Sequence, residues 1–280
     1  MPDLIYAKHP EGHYAIFTMN RPERLNALGG TMNDELAEAL QDFNSDNAMF
    51  VGIVTGAGRA FSAGADLKAG AERNALAAEI QAKVQRGELT QQEAARSLGT
   101  GQDPMSSIRN FGVFSTSPKP FIAAVNGLAI GGGCERTMDC DIRIASTEAY
   151  FGLYEVQRGI TAGVAVHHGA RVMPFGELSY LLFTARPMSA QDAYRIGFVH
   201  EVVEPDKLMP RAVEIAQDIA RNAPLAVQGS KAVIQFWRKF AIDQSIQLAA
   251  QVNRWATNTE DAVEGRRAFV EKRAPIWKGR

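Results

Sequence analysis

Cysteine is nearly absent. Cys134 and Cys140 are the only two in 280 residues, too few for a disulfide framework and without the paired cysteines or histidines of a structural zinc site. No metal site is expected, and the scarcity points to a reducing compartment. An unbroken apolar run of about 18 residues is also missing, and the opening MPDLIYAKHPEGHY has no apolar stretch behind a basic end. A cytoplasmic protein with no membrane partner is therefore expected. Neither sign of charge dominates: 30 Lys and Arg face 31 Asp and Glu, a formal net charge of -1. That balance supplies no basic field for a phosphate backbone, which argues against nucleic acid as a partner. Internal repeats and low-complexity tracts are absent as well.

What remains is ordinary globular material, 46% hydrophobic and 22% charged. At about 150 residues per domain the length suggests roughly two folding units, and a chain of this size can bury a large core without covalent staples. Tyr14–Met19, Phe50–Thr55, Phe121–Val125 and Asp141–Ala145 are short runs rich in β-formers, bounded by Gly, Pro, Asn or Asp, and predict strands. Between them Met32, Leu36, Ala39, Leu40 and Phe43 recur at helical spacing within Gly30–Phe43. Strands alternating with helices give an α/β class. Residues 69–105 form an Ala-, Gln- and charge-rich excursion, broken near Gly87 and ended by Gly99–Pro104. Beyond Glu204-Pro205-Asp206 the pattern is wholly helical, which places a boundary near 205.

The glycine-rich segments carry the chemistry. Gly56-Ala57-Gly58 imitates a dinucleotide fingerprint, but Phe61 stands where the third glycine belongs, so a nucleotide-binding Rossmann unit is not expected. Phe61-Ser62-Ala63-Gly64-Ala65-Asp66-Leu67 joins an apolar anchor to small residues against which another molecule can lie directly on the main chain. Asn126 to Glu135 (NGLAIGGGCE) leads from a strand into a helix. Helix N-termini present unpaired N–H groups and the positive dipole end, a setting suited to a developing oxyanion.

Together these segments resemble the crotonase superfamily of enoyl-CoA hydratases and isomerases. The resemblance runs from Asn20-Arg21-Pro22-Glu23-Arg24-Leu25-Asn26-Ala27-Leu28 through AFSAGADL and NGLAIGGGCE. It continues in Phe151-Gly152-Leu153-Tyr154-Glu155, in Ala190, Ala193, Gly197 and Val199, and in Ala268-Phe269-Val270-Glu271-Lys272-Arg273. It implies a crotonase spiral of β-β-α units over residues 1–205 and a C-terminal helical region, 206–280, used for assembly into a homotrimer or a hexamer of two trimers.

The resemblance further implies reversible hydration of a 2,3-unsaturated acyl-CoA. Coenzyme A enters as the substrate's carrier, with no permanently bound cofactor. Ser62 and Gly132 would donate backbone hydrogen bonds to the thioester oxygen, Glu135 and Glu155 would form the acid–base pair, and the Gly163 amide would help hold the water. Coenzyme A would meet Ser62, Ala63, Gly64 and Ala65, with Arg24, Lys68, Phe269 and Lys272 nearby. Departures from the family pattern are Tyr154, in place of a proline, Arg136, in place of a leucine, and Thr161 to His168, in place of a glycine-rich stretch. These leave open an enoyl-CoA isomerase, another acyl-CoA lyase or hydrolase, and a non-catalytic acyl-CoA binder. His167 and His168, about 100° apart on a helix, are read as structural or pocket-lining, and Asp66 as a turn acid.

Overall fold

The computed structural model describes residues 1–66, 76, 79–80, 82–90, 93–94, 112–158, 162–239, 258–271 and 273–280. Among these residues ten strands form two sheets. They are β1 (Leu4–His9), β2 (Tyr14–Met19), β3 (Val51–Gly56), β4 (Ala60–Ser62), β5 (Phe121–Val125), β6 (Leu128–Ile130), β7 (Ile142–Ser146), β8 (Tyr150–Gly152), β9 (Met188–Ser189) and β10 (Glu201–Val203). One sheet has the order β1-β2-β3-β5-β7-β10 and the other β4-β6-β8-β9. The pairs β3/β4, β5/β6 and β7/β8 each place one strand in each sheet before the chain moves on. Each unit therefore advances both sheets by one parallel strand, which is the spiral.

Burial explains the strand sequences. VGIVTG and FIAAV are almost wholly buried, as expected of parallel strands covered on both faces, whereas β2 alternates because it lies nearer the edge. On the inner face Phe17, Phe43, Phe61, Phe114, Phe121 and Phe151 are fully buried, each worth about 1.5–3 kcal/mol in transfer from water. Against the outer face lies the helix Leu208–Ala220. Its Leu208, Ala212, Ala216 and Ala220 recur every fourth residue and meet Val51, Ile53, Ile122 and Ile144. The change of period at 205 falls on a 3-10 turn, Pro205–Lys207, and the first helix beyond it seals the sheet.

Two asparagines set the corners that lead into the glycine-rich segments. Asn26, fully buried, donates from Nδ2 to the carbonyls of Ala57 and Ala60 and accepts the Arg21 amide. Asn126 accepts the Gly56 amide and donates to Gly58 O. At Gly127 a Cβ would stand 2.1 Å from Arg59 O, so only glycine lets the two corners touch.

Differences from the sequence reading are local. The first helix begins at Met32, because Gly30 has φ +60 and cannot be helical. The three-residue strands β4, β6 and β8 lie inside the glycine-rich motifs, too short to show a period of two. Most of the 69–105 excursion lies outside the described residues. Within it Gly87 has φ +74, and Thr90 and Glu93 form a reciprocal capping box, in keeping with a helix break at that point. Lys68 and Lys272 also lie outside the described residues, as do the side chains of His167 and Phe269.

Candidate active site

The two small-residue segments meet at the start of the helix Gly132–Asp139. A Cβ on Gly64 would lie 2.9 Å from the Gly132 nitrogen and 2.5 Å from Ile130 O, and Gly64 has φ +81. No other residue type fits there. The second segment reaches the first just as tightly, since a Cβ on Gly133 would stand 2.2 Å from Ser62 O.

The amides divide into committed and open groups. Ala63 N donates to Leu25 O and Gly64 N to Ser62 Oγ. Leu28 N donates to Gly64 O and Asp66 N to Leu28 O, so the parallel bridge Leu28–Ala65 leaves the Ala65 N–H on the side away from Leu28. Ala65 is exposed. Gly132 is the first residue of its helix, where N–H groups have no partner within the helix.

Ser62 lies deeper in the segment. It stands in β4 in register with Ala129, has 0% exposure, and its Oγ donates to Asn26 O. Ala65 is the exposed position in that segment.

Two acids converge on the same helix start. Glu135, 3% exposed, lies within the helix, and its Oε1 accepts the amides of Val164 (2.7 Å) and Ala165 (2.8 Å). A buried carboxylate held by two N–H donors is fixed in place. Glu155 begins a one-turn 3-10 helix, Glu155–Arg158, after β8. Its Oε1 lies 3.1 Å from where a Cβ on Gly131 would stand, and Gly131 has φ +52. The Gly131 amide donates to Gly152 O (2.8 Å), tying the two acid-bearing segments together. Gly163 has nothing within 4 Å of its Cβ position and is exposed, directly before the two amides that hold Glu135. The arrangement brings the amides of Ala65 and Gly132 and two carboxylates to one helix start, as activation of a carbonyl and proton transfer at its neighbouring carbons require.

Residues 11–280 match the enoyl-CoA hydratase/isomerase family. The chain belongs to this family. It is 38% identical over 265 residues to a short-chain-enoyl-CoA hydratase of Clostridium acetobutylicum, covering 94% of this chain and 93% of that protein. It is 37% identical to a crotonyl-CoA hydratase of Syntrophomonas wolfei, over 94% of each chain. A crystal structure of an enoyl-CoA hydratase from Bacillus anthracis superposes with a TM-score of 0.83 at 32% identity, over 100% of both chains. The fold is the crotonase fold.

Within this enoyl-CoA hydratase/isomerase chain the remaining expected positions are placed as follows. Asp66 is held by Arg21 (3.0 Å) and Arg24 (3.3 Å), and its ion pairs brace the loop after Ala65. Arg24 keeps 45% of its side chain exposed. His168 ends the short helix Ala165–His168. Cys134, buried beside Glu135, has its thiol pushed up by burial and by the two glutamates, so it is a packing residue and no nucleophile. Among the described residues no group of three or more His, Cys, Asp or Glu is placed to hold a metal, and no helix is long and apolar enough to cross a membrane.

Proposed function

We propose that this enoyl-CoA hydratase adds water reversibly to a 2,3-unsaturated acyl-CoA, with the thioester oxygen held by the amides of Ala65 and Gly132 and the protons handled by Glu135 and Glu155. As water attacks the β-carbon it gives a proton to one carboxylate, and the electron pair of the double bond moves to the α-carbon and the carbonyl oxygen. The two amides stabilise that enolate, each donor of this kind being worth about 2.7–4 kcal/mol in the transition state. Protonation of the α-carbon completes the addition. General acid–base work of this type contributes ~10²–10⁴-fold. The Gly163 amide stands at the open side of the pair and suits the water.

The observation that carries this reading is the convergence at one helix start. Gly132 N lies beside Gly64, and Glu155 Oε1 lies beside Gly131, while Glu135 stands in the helix that follows. Coenzyme A lies along Ala65, with the exposed Arg24 within reach of its phosphates; the family resemblance assigns Lys68, Phe269 and Lys272 to the same role. Exposed Phe175, Phe183 and Ile234 support assembly of copies into a homotrimer or hexamer, and two free buried cysteines suit a cytoplasmic setting.

The test follows loss of the conjugated thioester absorbance of crotonyl-CoA and its longer homologues in wild type and Glu135→Gln. Wild type hydrates and the variant falls by ~10²-fold or more. Equal rates in the two proteins reject the assignment. Turnover of a 3-enoyl thioester that survives Glu135→Gln, without hydration, assigns an isomerase, and binding without turnover assigns a carrier.

A further inference from the structure

Ser62 lies in the segment of Ala65 and packs against the helix of Gly132. Its Cβ and carbonyl oxygen lie 2.9 Å and 2.2 Å from where a Cβ on Gly133 would stand. Its hydroxyl donates to Asn26 O at 2.8 Å and accepts the Gly64 amide at 3.2 Å, so its single proton and one lone pair are both engaged. The serine side chain is thus committed inside the protein, and its partner Gly64 directly precedes Ala65.

Gly64 decides where the Ala65 amide points. The peptide joining them is trans, so its C=O and N–H leave one rigid plane in opposite directions. Leu28 N holds the Gly64 carbonyl at 2.7 Å on one side, and the Ala65 N–H emerges on the other. Rotation about the Gly64 backbone would swing that N–H away from Gly132. A side chain at residue 64 would resist the rotation, but its Cβ would stand 2.5 Å from Ile130 O and 2.9 Å from Gly132 N. Glycine brings the greatest conformational freedom of any residue, so stiffness must come from hydrogen bonds at both of its ends. Leu28 supplies the one at the carbonyl and Ser62 Oγ the one at the amide. Asn26 anchors the serine hydroxyl in turn, its own buried side chain being bonded to Arg21 N, Ala57 O and Ala60 O. Alanine would fill the place of Ser62 and leave the Gly64 amide and the Asn26 carbonyl without these bonds.

We propose that Ser62 is a positioning residue for the hydration, its hydroxyl fixing the Gly64 peptide so that the Ala65 N–H stays aimed at the thioester oxygen beside Gly132. The inference rests on the reading above that the Ala65 and Gly132 amides hold that oxygen. It adds one side chain to a site for the oxygen that is otherwise made of main chain. Loss of the hydroxyl is felt in the transition state, where charge on the oxygen is greatest.

The experiment compares wild type with Ser62→Ala and Ser62→Cys at a temperature where circular dichroism shows each protein folded. It reads kcat and KM for hydration of crotonyl-CoA, and the infrared carbonyl stretch of bound butyryl-CoA labelled with carbon-13 at the thioester carbonyl. Wild type should move that stretch below its frequency in free butyryl-CoA, because two N–H donors polarise the bond. Ser62→Ala should lose a large part of the shift and lower kcat by about ten- to a hundred-fold, with KM little changed. Ser62→Cys, whose thiol is a weaker hydrogen-bonding group at the same point, should fall between. A full wild-type shift in Ser62→Ala overturns the proposal even if that protein is less stable, and so does an unchanged kcat. If Ser62→Ala does not fold, a Ser62→Cys protein equal to wild type in both readouts overturns it. Absence of the shift in wild type sinks the assignment of the Ala65 and Gly132 amides themselves. A wild-type shift without hydration sinks the hydratase mechanism and leaves Ser62 to be judged on the shift alone.

Discussion

β6 and β8 are neighbouring parallel strands, in register from Leu128–Tyr150 to Ile130–Gly152, and each releases a chain that carries one acid of the pair. The first enters a helix whose eight residues, Gly132–Asp139, are all buried. The second enters a single 3-10 turn, Glu155–Arg158. Glu135 is therefore fixed by its helix and by two amides, whereas Glu155 depends on a short turn beside Gly131. The difference separates two ways of placing the same functional group, on a buried helix and on a single turn that follows a strand.

The largest expected contrast is steric. In Gly133→Ala the new Cβ meets backbone, Ser62 O at 2.2 Å and Ser62 C at 2.9 Å, so a loss of about 3 kcal/mol or more is expected. In Gly152→Ala the Cβ meets the Tyr154 ring at 2.8 Å. That side chain can swing away, and the loss should be about 1 kcal/mol. Urea midpoints measure both, and equal losses would break the comparison.

The acids give the next contrast. Glu135→Gln and Glu155→Gln should each lower hydration of crotonyl-CoA by ~10²–10⁴-fold. Glu135→Gln should also lower stability, by about 1–3 kcal/mol, because it weakens the acceptor of two buried amides; an unchanged urea midpoint would contradict this.

At the end of the same helix Asp139 is raised by burial from 3.8 to about 6. The folded state thus binds a proton more readily than the unfolded one between those values. Stability from this group is greatest in acid, falls as the pH rises from near 3.8 to about 6, and is level above. Asp139→Asn should remove that slope in urea titrations across the range, and an unchanged slope would assign it elsewhere. The smallest effect is expected at Gly163→Ala. Its Cβ position is open and its amide is kept, so stability should stay within ~0.5 kcal/mol of wild type, and hydration should change little.

The same contrast governs what could be read from the residues. The helix segment was legible because glycines clustered between a strand and a helix have few physical uses, and the buried strands of the six-stranded sheet announced themselves by β-branched and aromatic runs. Glu135 and Glu155 were legible as a pair through the family's motif positions, with no periodicity to place Glu155. The burial of Ser62 was hidden because its place in the β4–β6 ladder depends on pairing with residues far along the chain, which local sequence does not encode.

A crystal structure with a bound saturated acyl-CoA tests the central claim most directly. The account predicts the thioester oxygen about 2.7–3.1 Å from both the Ala65 and Gly132 nitrogens, with the β-carbon facing Glu135 and Glu155. A thioester oxygen seated away from either amide, or a β-carbon turned from both acids, would contradict it.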